Sequence, residues 1–327
     1  SYLYTTRYKG DVYYPAVFQS LLLTSQGMRS YPKHRGVVMC VYDLPAKEER
    51  IITADSYGTV ITHHKQGDRL VSKTLFGDSK YDFRSAYVNK DGTFFAVVSR
   101  NGSLVCFEKG TPRVIPLTGI ENPIYVTSLD DNTLLVESNN GLAFYNINEK
   151  KIVASHNLNF RITCWSRYNN LPILFDDKGR QHLVKGINEI STSANPVSGR
   201  VTAFASSKNS KQQVYGMSDG TVYLFNEKTS KITKLVGHLS RISQIKLNSY
   251  KLLTSSDDGT VKFWNTASEK IEPTTMVTTN SWIMDFCYDK KKESIWIGDQ
   301  EGVVTEALLS VPVMVEVLKK KLQRNLT

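Results

Sequence analysis

The sequence predicts an all-β fold, a seven-bladed β-propeller with a short helix at either end. Three observations predict it. A glycine turn recurs seven times, the recurrences are evenly spaced, and each turn is bracketed by short runs with strand character. The plainest copy of the turn is DDGTVKFW, residues 257–264, where an Asp-Gly pair suits a left-handed turn and the residues after it alternate as in a half-buried strand. Related turns are SYGTVITH, RNGSLVCF, NNGLAFYN, DKGRQHLV, SDGTVYLF and QEGVVTEA. They are centred on Gly58, Gly102, Gly141, Gly179, Gly220 and Gly302. With Gly259 in place, successive glycines lie 44, 39, 38, 41, 39 and 43 residues apart, the period of a four-stranded propeller blade.

The elements follow in chain order. Residues 1–27 form a lead-in segment. Within it PAVFQSLLLT, Pro15 to Thr24, puts Val17, Leu21 and Thr24 on one side without β alternation, which predicts a helix. A ring of blades needs its last blade closed by a segment from the other end of the chain. Met28 to Lys33, just ahead of the first inner strand, is the candidate. The propeller then spans 28–309. The first strands read VVMCVY, RSAYV, YVTSL, RITCW, RVTAFA, RISQIKL and WIMDFCY. The second read RIITAD, TFFAVVS, TLLVES, PILFD, QVYGM, KLLTSS and SIWIGD. A third strand follows each turn, and a more polar fourth, such as KIVASHNL or KITKLV, crosses to the next blade. Residues 310–327 change character. Ser310 can cap a helix, Pro312 is tolerated in a first turn, Val313, Val317 and Leu318 make a stripe, and the closing lysines suit a helix C-terminus.

Composition narrows the function classes. The chain has 327 residues, 40% of them hydrophobic and 10% aromatic, and no run nears the roughly 18 apolar residues of a membrane span. A membrane partner is therefore not expected. The opening SYLYTTRYKG has neither an apolar signal core nor an initiator methionine, so the chain is expected to be a piece of a longer one. The four cysteines, Cys40, Cys106, Cys164 and Cys287, are far apart among apolar neighbours and read as buried thiols in a reducing cytoplasm. The net charge of +10 admits nucleic acid or an acidic protein, but Lys319, Lys320, Lys321 and Arg324 concentrate part of it in the tail.

Gly237-His238, Asp258 and Trp264-Asn265 resemble the signature of the WD-repeat β-propeller family, over roughly Arg29 to Leu309. That resemblance implies a structural tetrad in which His238, Ser256, Asp258 and Trp264 form a hydrogen-bonded string, a scaffolding role. Phe107 and Phe225 stand where other blades would carry the tryptophan. The flanks, LYTTRYKGD with AVFQSLL and VPVMVEVLKKKLQRNLT, resemble those of propellers at the C-termini of bacterial STAND-type signalling ATPases. No GxxxxGK[ST] phosphate loop is present, so an ATPase part would lie outside this sequence.

Catalytic patterns are missing. None of the six histidines sits in an HExxH-like pattern, and adjacent His63 and His64 point to opposite faces of a strand and read as surface residues near a strand end. Asp130-Asp131, Asp176-Asp177 and Asp257-Asp258 are explained by turn capping. No metal, cofactor or catalytic set is expected, and an enzyme is the third-ranked reading. One register suggests a binding site. Aligning the first strands on Val41, Val88, Leu129, Trp165, Phe204, Ile245 and Phe286 places Val37, Arg84, Tyr125, Arg161, Arg200, Arg241 and Trp282 four residues earlier, a position that the WD-repeat resemblance implies lies at the channel mouth. Arginine and aromatic residues are what binding centres favour. The leading expectation is a monomeric, non-catalytic module that senses or holds a protein or peptide, acidic by preference. Nucleic acid or another polyanion is the alternative.

Overall fold

A computed structural model describes residues 6–7, 13–44, 50–66, 69–108, 110–139, 141–289 and 293–325. Its strands form seven antiparallel sheets of four. Blade 1 comprises Val38–Leu44, Arg50–Asp55, Thr59–Gln66 and Arg69–Gly77. Blades 2 to 6 begin at Phe83, Tyr125, Ile162, Val201 and Ile242, each with four consecutive strands. Blade 7 takes Ile283–Asp289, Ser294–Asp299 and Val304–Leu308 from the end of the chain and Met28–Tyr31 from its beginning. The last pairing runs from Met28 opposite Ala307 to Tyr31 opposite Val304 and joins the ring. First strands of neighbouring blades contact one another around the axis from blade 4 through blade 7 to blade 3. The Arg167 guanidinium of blade 4 bridges the remaining step by donating to Thr127 Oγ1 and Ser128 O of blade 3.

All seven repeat glycines have positive φ, between +74° and +86° except for Gly141 at +141°. The reason is clearest at Gly58, where a Cβ would come within 2.0 Å of the Asp78 carbonyl oxygen, so an L side chain fails on both backbone conformation and space. The apolar residues on the two faces of each blade fill the clefts on either side. The described residues accordingly form seven hydrophobic clusters, one per cleft, rather than one central core. The cleft between blades 6 and 7 differs, because the terminal helices cover it.

Helix α1, Pro15–Thr24, buries Val17, Phe18, Leu21 and Leu22. Thr24 is exposed and returns its hydroxyl to Ser20 O, so the buried face is centred on Phe18 rather than on the line through Thr24. Helix α2, Val311–Asn325, starts with Met314 N–H donating to Ser310 O. It buries Val311 and Met314, while Val313 is exposed, so the stripe runs through Val311, Met314 and Leu318. Burying a side chain such as Phe18 contributes roughly 1.5–3 kcal/mol, which lets a ten-residue helix hold on the barrel wall.

Candidate functional site

The blade-6 motif residues form a string of hydrogen bonds. Trp264 Nε1–H donates to Thr254 Oγ1 at 2.8 Å, Thr254 pairs with His238 Nε2 at 2.7 Å, and His238 Nδ1 meets Asp258 Oδ2 at 2.9 Å. Burial pushes the Asp258 carboxyl up, but bonds from His238, Thr260 and the Leu239 N–H outweigh it and hold the group well below the usual carboxylate range. Ser256 is not a member of this string. Trp264 faces Leu252, so its indole reaches the next residue on that face, Thr254, whereas Ser256 lies a further pleat away. The Ser256 hydroxyl instead donates to Ser240 O at 3.0 Å and accepts from Asp258 N–H.

A second string in blade 1 has no counterpart in the sequence reading. His34 Nδ1 meets Asp55 Oδ2 at 3.0 Å, and His34 Nε2 meets Thr53 Oγ1 at 2.7 Å. Thr53 Oγ1 in turn meets His63 Nε2 at 2.8 Å, and His63 Nδ1 meets Ser72 Oγ at 2.9 Å. His63 is fully buried, which overturns its reading as a surface residue. Its partner across the sheet is Ile51, in register with Leu252 opposite Trp264, so an imidazole occupies the place of the indole. Burial and the charge of His34 lower its pKa to about 3, so it stays neutral. A neutral His63 donating from Nε2 sends the bonds the same way as in blade 6, toward the carboxylate. The spacing offered a signal: His34 precedes Asp55 by 21 residues, and His238 precedes Asp258 by 20.

At the mouth of the channel the hydrogen bonds define the register. The residue five before each repeat glycine pairs with Val41, Ala86, Val126, Trp165, Phe204, Ile245 or Phe286 of the first strand. Ala86 and Val126 thus hold the places the sequence reading gave to Val88 and Leu129. A slip of two residues keeps a strand's faces unchanged, so apolar alternation could not detect the error in blade 2. In blade 3 the alignment slips by three, because Leu129 lies just past the end of the strand Tyr125–Ser128. The entrance carbonyls that accept from the end of the second strand belong to Val37, Asp82, Glu121, Arg161, Arg200, Arg241 and Trp282.

Arg84 and Tyr125 therefore lie deeper than the mouth. Arg84 binds Asp82, and Tyr125 stacks on Trp165 with centroids 5.0 Å apart and planes 8° apart. The mouth has two unlike arcs. Blades 4 to 7 present Arg161, Arg200, Arg241 and Trp282, and blades 2 and 3 present Asp82 and Glu121. Arg241 is bound by both oxygens of Asp257, at 2.8 and 3.2 Å. Arg161 and Arg200 are exposed, with no side-chain ion pair or hydrogen bond among the described residues. Trp282 is 52% exposed, and Leu239, in the loop leading to Arg241, is 91% exposed.

Two carboxyls are buried inside the ring. Burial raises Glu137 to about 7, against the bond from Trp165 Nε1–H and the charge of Arg161. Burial likewise raises Asp285 to about 6, against the charge of Lys246 and bonds from the Val41 and Phe286 N–H groups and from Gln244. Among the described residues neither is hydrogen-bonded to a histidine, the charge of Asp285 acts on the buried Cys40 and Cys287 thiols, and no cluster of three metal-ligating side chains occurs. All four cysteines are free and buried. No helix among the described residues is long and apolar enough to cross a membrane.

A family model described as WD domain, G-beta repeat matches residues 229–265, the segment that carries the blade-6 string. Among solved structures, the chain is similar to the WD40 beta propeller domain of Doa1. The identity is 14%, covering 87% of this chain and 96% of that one, with a TM-score of 0.67. At that identity the likeness shows the fold. No curated protein matches.

Proposed function

We propose that this propeller is a non-catalytic interaction scaffold that holds an acidic or phosphorylated protein segment across the channel mouth. The supporting observation is the placement of Arg161, Arg200, Arg241 and Trp282 on four consecutive blades, opposite Asp82 and Glu121. With Arg241 committed to Asp257, Arg161 and Arg200 are the guanidiniums available for forked bonds to carboxylate or phosphate. Trp282 and Leu239 add apolar contact. With Asp82 committed to Arg84, Glu121 is the carboxylate that would repel a uniformly anionic ligand and orient a segment whose negative end meets blades 4 and 5. Arg84 and Tyr125 would shape the wall below. In this reading 28–309 is the binding unit, monomeric by itself, and 1–27 and 310–327 attach it as a sensor to a larger cytoplasmic bacterial signalling protein of the STAND ATPase kind. The free thiols and the paired terminal helices support that setting.

The test is to select binders from acidic and phosphorylated peptides and compare their affinity for wild type and for Arg161→Ala/Arg200→Ala. A loss above about tenfold, some 1.4 kcal/mol, at unchanged melting temperature is expected. Equal weakening when Lys319 to Lys321 are neutralised, with a steep salt slope, would favour a nucleic-acid or polyanion ligand instead. No effect of the arginine pair would remove the mouth as the site.

A further inference from the structure

On the opposite face of the ring, where first and second strands are joined, a cavity of roughly 350 Å³ enters the cleft between blades 6 and 7. It runs from Tyr42 and Lys246, on first strands near the axis, outward past Leu253 and Phe263 to Met276 on the outermost strand of blade 6. Its outer wall comes from outside the blades. Tyr13 lies with its ring 5.4 Å from that of Phe263, and the Tyr13 carbonyl accepts from Thr274 Oγ1 at 3.0 Å. The equivalent space between blades 5 and 6 is filled by Trp264, which is fully buried. Protein interiors rarely leave a gap of this size, and its volume falls in the lower part of the range of small-molecule sites, about 300–1,000 Å³.

The inner end carries the chemistry. Lys246 is half-buried, and its ammonium is in no ion pair or hydrogen bond among the described residues. Of the acids nearby, Asp43 and Glu293 line the same cavity; Glu293 pairs with Lys251 at 3.4 Å, and Asp285 accepts from two backbone N–H groups and Gln244. Beside Lys246, burial keeps the Tyr42 hydroxyl protonated far above neutral pH, so it can donate. A half-buried cation in no ion pair, whose charge reaches Asp285 only at longer range, next to a hydroxyl donor and continuous with an apolar slot, can take a ligand with an anionic head and an apolar body.

We infer that this cavity is a binding site for a small organic anion, a carboxylate, sulfonate or phosphate ester on an aromatic or short aliphatic body, with Lys246 and Tyr42 on the head and Leu253, Phe263 and Met276 around the body. The site is separate from the channel mouth, so it stands or falls apart from the scaffold reading.

The probes are 1-anilinonaphthalene-8-sulfonate and its uncharged analogue N-phenyl-1-naphthylamine, titrated into the folded protein. Saturable one-to-one binding of the sulfonate is expected. Lys246→Gln should weaken it by about tenfold or more and leave the uncharged probe within about twofold, and Lys246→Arg should retain both. In wild-type protein with labelled methionine methyls, the Met276 resonance should move with the sulfonate titration, a readout that does not depend on any variant folding. Absence of saturable sulfonate binding, equal binding by Lys246→Gln, or shifts that spare Met276 would each overturn the assignment.

Discussion

Blades 6 and 1 contain the same hydrogen-bonded string built from different parts. Both run through a threonine and a histidine to a turn aspartate. In blade 6 the string begins at an indole, and in blade 1 at a second imidazole that reaches Ser72. The indole brings its own apolar bulk and a single fixed donor. The imidazole fills the place only while it is neutral and in one tautomer, so blade 1 depends on five polar side chains being satisfied together. The two strings thus share a threonine, a histidine and a turn aspartate in the same order and differ in the group that begins them.

The sharpest way to break the comparison is to remove the central histidines. In blade 1, His34→Ala removes the partner of Oδ2 in the fully buried Asp55 carboxylate, leaving Oδ1 with the Tyr57 and Thr59 N–H groups, and should cost on the order of 3–5 kcal/mol. In blade 6, His238→Ala leaves Asp258 with a slightly exposed side chain and bonds from Thr260, and should cost about 1–3 kcal/mol. Urea unfolding of both variants measures the difference, and the larger loss in blade 6 would refute the account of blade 1.

A pH series sharpens it. The pKa of His63 is lowered on folding from 6.5 to about 3, so its neutral form contributes stability above pH 6.5 that is lost as pH falls toward 3. His63→Phe keeps the ring and removes that titration. The variant should be about 1–2 kcal/mol less stable than wild type at pH 7, with the deficit shrinking or reversing by pH 4. Trp264→Phe should show a similar deficit that does not vary over the same interval. Parallel curves for the two variants would mean that His63 is not held neutral by burial.

The smallest effect separates Thr254 from Ser256. Thr254→Ala interrupts the blade-6 string and should cost about 1–3 kcal/mol, whereas Ser256→Ala removes a turn bond and should cost about 1 kcal/mol or less. Thermal melts decide between them, and a reversed order would return Ser256 to the string.

Legibility in the sequence followed the physics of each feature. The seven blades could be read because a left-handed turn excludes most residues, so glycine marks it even where the strands diverge. Trp264 could be read because few residues substitute for a buried indole with a donor. His63 could not, since a histidine at a strand end is more often exposed, and only its fully buried surroundings give it a structural role. The candidate mouth was partly legible. Arg161, Arg200, Arg241 and Trp282 share one register; Arg84 does not, because an apolar anchor fixes a strand's face and not its position along the strand, and Tyr125 does not, because its anchor Leu129 lies past the end of the strand. The acidic arc of Asp82 and Glu121 went unseen for the same reason. The cavity beside Lys246 had no sequence signal, since it depends on Tyr13 meeting a cleft formed about 250 residues later.

The pairing of Met28–Tyr31 with Val304–Leu308 also sets an order of events on the ribosome. Tyr31 is synthesised 273 residues before Val304, its partner. At roughly 5–20 residues per second the strand waits on the order of 10–60 s for its mate. Blades 1 to 6 draw their four strands from continuous stretches and can form as they emerge, while blade 7 cannot be completed until Val304–Leu308 has been made. The nascent ring is therefore an open arc, and its closure is a late, long-range event that joins the first strand of the ring to the last.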